Sequence, residues 1–412
     1  MAPNSSNKQS SSQDEAILVI NCGSSSVKFS LIQPNSGEEI LSGLAECLLT
    51  TNATLTVKKQ GINTSYKLVT PFNHQVALAM LVDKLQHLKL TKNIFAIGHR
   101  VVHGGEQYSQ PTLITKEVEL EIAQLTALAP LHNPANLVGI KACQKAFSQL
   151  PQVAIFDTAF HQTMPKKAYI YGLPYALYKD HGIRRYGFHG TSHYFVAKQA
   201  AKRLNKPLKQ CNFISAHLGN GCSVTVLKNG QSVDTSLGMT PVEGVMMGTR
   251  SGDLDAGIIF HLVEHLGYSI ADVDKLVNEQ SGLLGVSQLS NDCRTLESAM
   301  REKNNAQAKL ALTVFCYRIA KSIASYSASL TSLDGLIFTG GIGENSAWVR
   351  GQIIAQLSLL NFSLDSENNN ATRFGASGNI ATKNSRPCWV IPTNEEWVIA
   401  EQSYQLLTNN NA

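Results

Sequence analysis

The chain has 412 residues, 43% of them hydrophobic and 16% charged, with a formal net charge of +5. That length is more than one simple core serves and points to two domains, while Lys and Arg are too scattered for a nucleic-acid binder, though the small positive balance slightly favours anionic ligands. No apolar run approaches the roughly 18 residues that cross a bilayer. The eight cysteines include no C-x-x-C pair, which suits buried thiols in a reducing cytosol better than a disulfide frame or a zinc site.

The first fourteen residues, MAPNSSNKQSSSQD, are polar and lack an apolar h-region, so they read as a disordered tail and not as a secretory signal. The stretch ILVINCGSSSVKFSLI, Ile17 to Ile32, then sets two strand-like runs around Gly23 to Ser26, with Lys28 close behind. A hairpin tip prefers Asn-Gly or Asp-Gly. Two readings stand. In one, turn N–H groups and hydroxyls seat a phosphate whose charge Lys28 offsets; in the other, this is a surface hairpin with a solvated lysine. Asn21, Ser24, Ser26 and Lys28 alternate along the strand direction, so several can project toward one point. No G-x-x-x-x-G-K-[ST] is present, so the chain is not a P-loop protein.

Helical patterns follow at Val76–His87 and Lys116–Leu128, with short strands at Ile94–His99 and Val153–Phe156. IGHRVVHGGE places Arg100 and His103 just past the first of these strands, and VAIFDTAFHQTMP ends the second on Asp157, with His161 four later. RRYGFHGTSH contributes His189 among glycines.

FISAHLGNGCSVTVL, from Phe213, repeats the plan of the first hairpin: a shift of 196 positions lays Gly23 on Gly219. Two similar halves are expected, each opening with a hairpin. Taken alone, Asn220-Gly221 is an ordinary hairpin signal; paired with the first turn, the two hairpins can grip the ends of a polyphosphate. GVMMGTRSGD adds Arg250. A helix near Asp255–His265, a long one around Ala306–Ser329 and the strand LDGLIFTGG come next. LIFTGGIGENS reads as strand, glycine turn and helix. Ser346 stands where a dinucleotide fingerprint needs glycine, so a turn on which an adenosine lies flat fits better. SLDSENNNATRFG is expected to be a polar surface loop, and CWVIPTNEEWVIAEQSYQLL strand, turn and helix with Asn394 as N-cap. A lone His or Arg near a strand end is more often a packing residue, but strand carboxyl ends are also where α/β proteins place ligands. His99/His103 and His189/His193 have chelating spacing, yet no H-E-x-x-H or cysteine partner supports a metal there.

NCGSSSVKF, GHRVVHGG, LHNPAN, FDTAFH, YGFHGTSH, HLGNG, MGTRSGDLD, FTGGIGENS and IPTNEE run in order from Asn21 to Glu396, and together they resemble the acetate kinase family. The resemblance implies an α/β, duplicated ribonuclease H-like (actin-like ATPase) fold with two lobes around a central cleft. The expected division is an N-terminal lobe over 15–160, with the last helix packing back on it, a nucleotide-binding lobe over 161–400, and a tail over 401–412. It also implies a cytoplasmic homodimer and reversible in-line transfer from ATP to acetate, giving acetyl phosphate and ADP, with Mg²⁺ required and Mn²⁺ able to substitute. A propionate kinase of the same fold is the nearest alternative, and a non-catalytic ATP-gated binding module the more distant one.

Roles transfer by motif. Asn21 and Glu395 match magnesium positions; Lys28, with Ser24 and Ser26, matches the ATP-binding lysine. Arg100 matches the arginine that holds the carboxylate or acyl phosphate, and Asp157 the residue assigned as acid/base. His189 and Arg250 match the pair that stabilises the transition state, and His132 and His217 two further active-site histidines. The nucleotide segments are His217, Leu218, Gly219, Asn220 and Gly221; Asp292, Cys293 and Arg294; and Gly340, Gly341, Ile342, Gly343, Glu344 and Asn345. Val102, Leu131, Phe188 and Pro241 match the pocket for the methyl group. The acceptor carboxylate, with a pKa of about 4, is already ionised at pH 7. Asp157 is therefore expected to organise Mg²⁺ and Arg100 and not to move a proton.

Overall fold

Two β-sheets organise the computed structural model, which describes residues 15–130 and 132–409. The predicted tail over 1–14 and Leu131 lie outside the described residues. The chain divides into two units: residues up to Ala159 together with those from Glu395 onward, and Phe160–Asn394.

The first unit holds β1 (Ala16–Cys22), β2 (Val27–Ile32), β3 (Glu39–Glu46), β4 (Thr54–Lys59), β5 (Ile62–Lys67), β6 (Ile94–Val101), β7 (Thr112–Leu113) and β8 (Gln152–Phe156), in the sheet order β5-β4-β3-β2-β1-β6-β8-β7. β1 to β3 form an antiparallel meander, and β6 and β8 run parallel to β1. The almost unbroken apolar run of β1 is what a strand covered on both faces requires. Leu18 and Ile20 pack with Leu78 and Leu81 of the helix His74–His87 and with Ala142 and Cys143 of the helix Asn133–Ala146. Ile17 and Val19, on the opposite face, meet Ile399 and Ala400 of the helix Glu395–Asn409. That last helix runs through residues 401–409, where the sequence predicts a tail. Ser403 is fully buried, so the segment is part of the packed structure.

The second unit holds β9 (Phe213–Leu218), β10 (Cys222–Lys228), β11 (Gln231–Thr235), β12 (Gly335–Thr339), β13 (Gly378–Asn379) and β14 (Cys388–Val390), ordered β11-β10-β9-β12-β14-β13. Again three antiparallel strands are followed by two parallel ones. Leaving aside β4, β5, β7 and β13, the strand plan third-second-first-fourth-fifth thus occurs twice, as β3-β2-β1-β6-β8 and β11-β10-β9-β12-β14, and β1–β2 and β9–β10 are the two hairpins whose likeness the 196-residue shift predicts. This is the duplicated α/β topology of the actin-like ATPase fold.

One local expectation holds and one needs correction. The glycines after β12 form a single helical turn, Gly340–Asn345, which the helix Ala347–Ile354 follows, as the strand, glycine turn and helix pattern predicts. Gly340 takes φ +76°, and a Cβ there would lie 2.7 Å from the Leu218 carbonyl oxygen, so only glycine lets the chain enter the helix at this point. The supposed polar loop contains the helix Ser366–Ala371, capped by Asp365 on the Asn368 N–H, and its Asn369 is buried. Asparagine-rich composition hides that helix because its buried amide is used to bind an arginine, described below. Among the described residues no helix is long and apolar enough to cross a membrane.

Candidate active site

In the first unit the β1–β2 pairing sets Asn21 opposite Lys28. The turn between them closes through Gly23 N–H to the Ser26 carbonyl at 2.9 Å. Its other carbonyls are also engaged: His74 Nε2 lies 2.8 Å from the Gly23 oxygen, and Leu48 N–H donates to Ser25. Ser24 is left exposed at the tip and Ser26 half-buried. Lys28 is exposed, as the surface-hairpin reading expects, and its ammonium also pairs with the carboxylate of Glu396.

Arg100 lies within β6, not beyond it, and Asp157 directly follows β8. The parallel pairing Val101↔Phe156, extended by Asp157 N–H to the Val101 carbonyl at 3.0 Å, sets the two side chains side by side. Arg100 donates through Nε to Oδ1 (3.0 Å) and Oδ2 (3.1 Å), and through Nη2 to Oδ2 (2.6 Å). Asp157 is 1% exposed and Arg100 23%. Glu395, at the start of the last helix, stands 4.0 Å from Arg100 Nε. Burial raises the Asp157 carboxyl above its ordinary range, Glu395 adds to this, and the guanidinium pulls it back. Burial alone would lower Arg100, but Asp157 and Glu395 hold it above its ordinary value. The result is a cation fixed in direction by a bidentate carboxylate, with Nη1 outside the pair.

Two buried asparagines of the LHNPAN motif anchor the backbone just past Arg100. Asn136 Oδ1 accepts the Val102 N–H at 3.1 Å while its Nδ2 donates to the Cys22 carbonyl at 2.9 Å, tying the end of β6 to the Gly/Ser hairpin. Asn133 exchanges hydrogen bonds with the backbone of His103. His132, half-buried, precedes their helix.

In the second unit His189 precedes the helix Gly190–Arg203 in the left-handed region, φ 58°. For a non-glycine residue this costs about 1–3 kcal/mol and persists where surrounding structure enforces it. The enforcement is visible. His189 Nδ1 meets Ser223 Oγ at 2.9 Å, and its ring stacks on His217 with centroids 4.3 Å apart. His217 Nδ1 meets Ser192 Oγ at 2.8 Å. Beneath them His193 bridges Ser215 Oγ (2.6 Å) and Ser223 Oγ (2.7 Å), and burial lowers its pKa well below the ordinary value. His161 is held by Ser232 Oγ and the Phe188 carbonyl, His99 by Gln152; burial lowers each to about 4. Both are satisfied core histidines.

Arg250 donates through Nη1 to the Pro241 carbonyl at 3.3 Å, and burial lowers its pKa. A Cβ on Gly221 would lie 3.4 Å from Arg250 Nη1 and 3.6 Å from the His189 ring. Backbone, guanidinium and imidazole therefore meet at one point, and the absent side chain of Gly221 keeps that point open.

A cavity of about 680 Å³ opens in the same unit, lined by Gly219, Asn220, Asn291, Asp292, Cys293, Arg294, Glu297, Gly341, Ile342, Asn345, Ser346, Arg373 and Phe374. Its volume suits a nucleoside. All three predicted nucleotide segments reach it. His217, Leu218, Gly221, Gly340, Gly343 and Glu344 do not line it. Glu344 instead accepts the Gly340 and Thr393 N–H groups at 3.0 and 3.2 Å. Arg294 folds onto Asp292, with Nη2 to Oδ2 at 2.6 Å.

The predicted residues are divided between the units. Asn21, Ser24, Ser26, Lys28, Arg100, Val102, His132, Asp157 and Glu395 belong to the first; His189, Arg250, Phe188, Pro241 and the cavity residues belong to the second. Sequence reasoning missed Asn136, Ser223, Glu297, Arg373 and Phe374. Glu297 was accessible in principle, since it lies one helical turn past Cys293.

A family model described as the Acetokinase family matches residues 16–401. An acetate kinase of Shewanella sp. (strain ANA-3) is 53% identical over 397 residues, covering 96% of this chain and 99% of the relative. The crystal structure of a propionate kinase from Francisella tularensis subsp. tularensis SCHU S4 superposes with a TM-score of 0.90 at 46% identity, covering 94% of this chain and 98% of that one. That of Porphyromonas gingivalis acetate kinase gives 0.89 at 41%, covering 96% and 99%. With the duplicated fold, the Arg100–Asp157 pair and the cavity described, these matches place the chain in the acetokinase family.

Proposed function

We propose that the chain transfers the γ-phosphoryl group of ATP to acetate, reversibly and in line, giving acetyl phosphate and ADP. The observation that carries this reading is Arg100, a guanidinium held by a buried carboxylate. Such a cation suits an anionic acceptor whose approach must be fixed in direction. An acetate oxygen attacks the γ-phosphorus as the bond to the ADP oxygen breaks. Because the acetate is ionised, no proton has to leave. The protein's task is to position the reactants and neutralise charge on the phosphoryl oxygens. Arg100 orients the carboxylate, and Arg250 and His189 face the transferring group, with His217 and His132 as further polar contacts. Lys28, Ser24 and Ser26 take phosphate oxygens, Lys28 exchanging Glu396 for them.

Asn21 and Glu395 would hold Mg²⁺. One amide oxygen and one carboxylate fit an ion that takes few protein ligands and completes its shell with phosphate oxygens and water. When bound, the ion offsets nucleotide charge. Asp157 keeps Arg100 in place for that arrangement.

Trapping the acyl phosphate with hydroxylamine tests the activity directly. Acetate is expected to exceed propionate in kcat/KM by about tenfold, since one methylene in an apolar pocket is worth 1–3 kcal/mol. Val102, Phe188 and Pro241 are the apolar residues whose substitution is expected to change that ratio. The likeness to a propionate kinase makes propionate the second reading, and a preference for it would replace the first.

The reading includes a homodimer in the cytoplasm. The helix Gly257–Leu266, GIIFHLVEHL, has no buried residue in the single chain; Phe260 is 62% exposed, and Ile258, Leu266 and Ile270 are also exposed. An apolar patch of this kind is the surface a second copy covers. Phe260→Glu is expected to halve the molar mass seen by light scattering, and a mass unchanged from that of the wild-type dimer would reject this interface. All eight cysteines are free thiols and only Cys47 is exposed, which supports a reducing compartment.

A further inference from the structure

We infer that Arg373 and Phe374 form the wall against which the purine of the nucleotide stacks, so that Phe374 is a base-binding residue; this rests on the nucleotide reading of the cavity. Phe374 lines that cavity and is 81% exposed, an unusual setting for an aromatic side chain in an otherwise polar segment. It is not a loose surface residue. Its backbone takes φ +54°, outside the range an aromatic residue favours, and its N–H donates to Asn345 Oδ1 at 2.9 Å. Arg373 Nε donates to the Asn345 carbonyl at 2.9 Å, and its guanidinium lies 4.8 Å from the Phe374 ring centroid. Asn345 itself lines the cavity, so the aromatic ring and the glycine-rich helical turn are locked together.

The lock continues inward. Arg350 donates to the Asn369 and Thr372 carbonyls on one side and to the Gly343 and Glu344 carbonyls on the other. The segment bearing Phe374 is thus fixed relative to Gly341 and Ile342. An exposed ring, positioned in advance on the wall of a nucleoside-sized cavity, is the device that recognises a flat heteroaromatic base. Arg373, cationic over the same ring, extends the platform. Stacking is tolerant of base identity, so the platform favours purines over pyrimidines by surface area without selecting adenine over guanine.

The test is Phe374→Ala in the full chain, with ADP binding measured by calorimetry and steady-state kinetics measured in parallel. The Kd for ADP and the KM for ATP are expected to rise about tenfold, with kcat and the KM for acetate within about twofold. Phe374→Tyr should restore binding. Inhibition by tripolyphosphate, which has no base, should be the same in wild type and variant. An ADP affinity unchanged by Phe374→Ala would overturn the inference. So would a loss for tripolyphosphate equal to that for ADP, because the residue would then be acting on the fold and not on the base. A wild-type chain that binds no ADP would overturn the nucleotide reading itself, and this inference with it.

Discussion

Asp157→Asn is expected to lower kcat for acetyl phosphate formation by about a hundredfold to a thousandfold, the usual cost of losing one preorganised charge-stabilising contact. The asparagine keeps the shape of the aspartate but not its pattern of acceptors. Arg100 now donates to both oxygens of Asp157, and in the variant one of those positions becomes an NH₂ group facing a guanidinium N–H. The guanidinium is released to rotate, and the direction in which it presents charge to a carboxylate is lost. Since the acceptor needs no deprotonation, the loss arises from misplaced charge. The solvent deuterium isotope effect on wild-type turnover should accordingly be near unity. Breaking a buried pair also costs stability, so the thermal midpoint must be measured with the rate. Near-normal turnover and magnesium dependence in a folded Asp157→Asn variant would remove Asp157 from the chemistry.

The parts of this arrangement that were legible in sequence are those written locally. β1 and β9 declare themselves because each is an apolar run ending at a glycine-containing turn, and the 196-residue offset follows from comparing them. The Arg100–Asp157 pair was less legible. Both residues were singled out at strand ends, yet their contact spans 57 positions and depends on the parallel pairing of β6 with β8, which no local pattern encodes. The Lys28–Glu396 pair spans 368 positions and exists because the last helix packs on the face of the first sheet that bears Ile17 and Val19. Ser223 was hidden for another reason: a serine on a buried strand looks like any other, and only the two imidazoles converging on its Oγ reveal what it does. Phe374 was masked by its polar neighbours, of which the Asn369 amide and the Asn369 and Thr372 carbonyls are turned inward toward Arg350.

Arg350→Met is expected to destabilise the second unit by about 3–5 kcal/mol, as when one partner of a buried charged network is removed. Arg350 is fully buried. Burial lowers its pKa to about 10, so it remains cationic at neutral pH. It is surrounded by acceptors: the Asn369 side chain through Nε at 2.8 Å and four backbone carbonyls through the two terminal nitrogens. Methionine fills much of the volume but leaves those carbonyls without a donor and without water, and each unsatisfied buried group costs about 1–3 kcal/mol. Lysine keeps the charge but offers three donors from one nitrogen, fewer than five acceptors spread over both sides of the guanidinium, so Arg350→Lys should fall between wild type and Arg350→Met. The effect is read from the free energy of urea unfolding, together with ADP affinity, because the same carbonyls hold the Gly341–Asn345 turn and the Phe374 segment in register. ADP binding should therefore weaken in Arg350→Met even where the variant remains folded. A loss under 1 kcal/mol with unchanged ADP binding would mean that the two walls of the cavity are held by something other than this arginine.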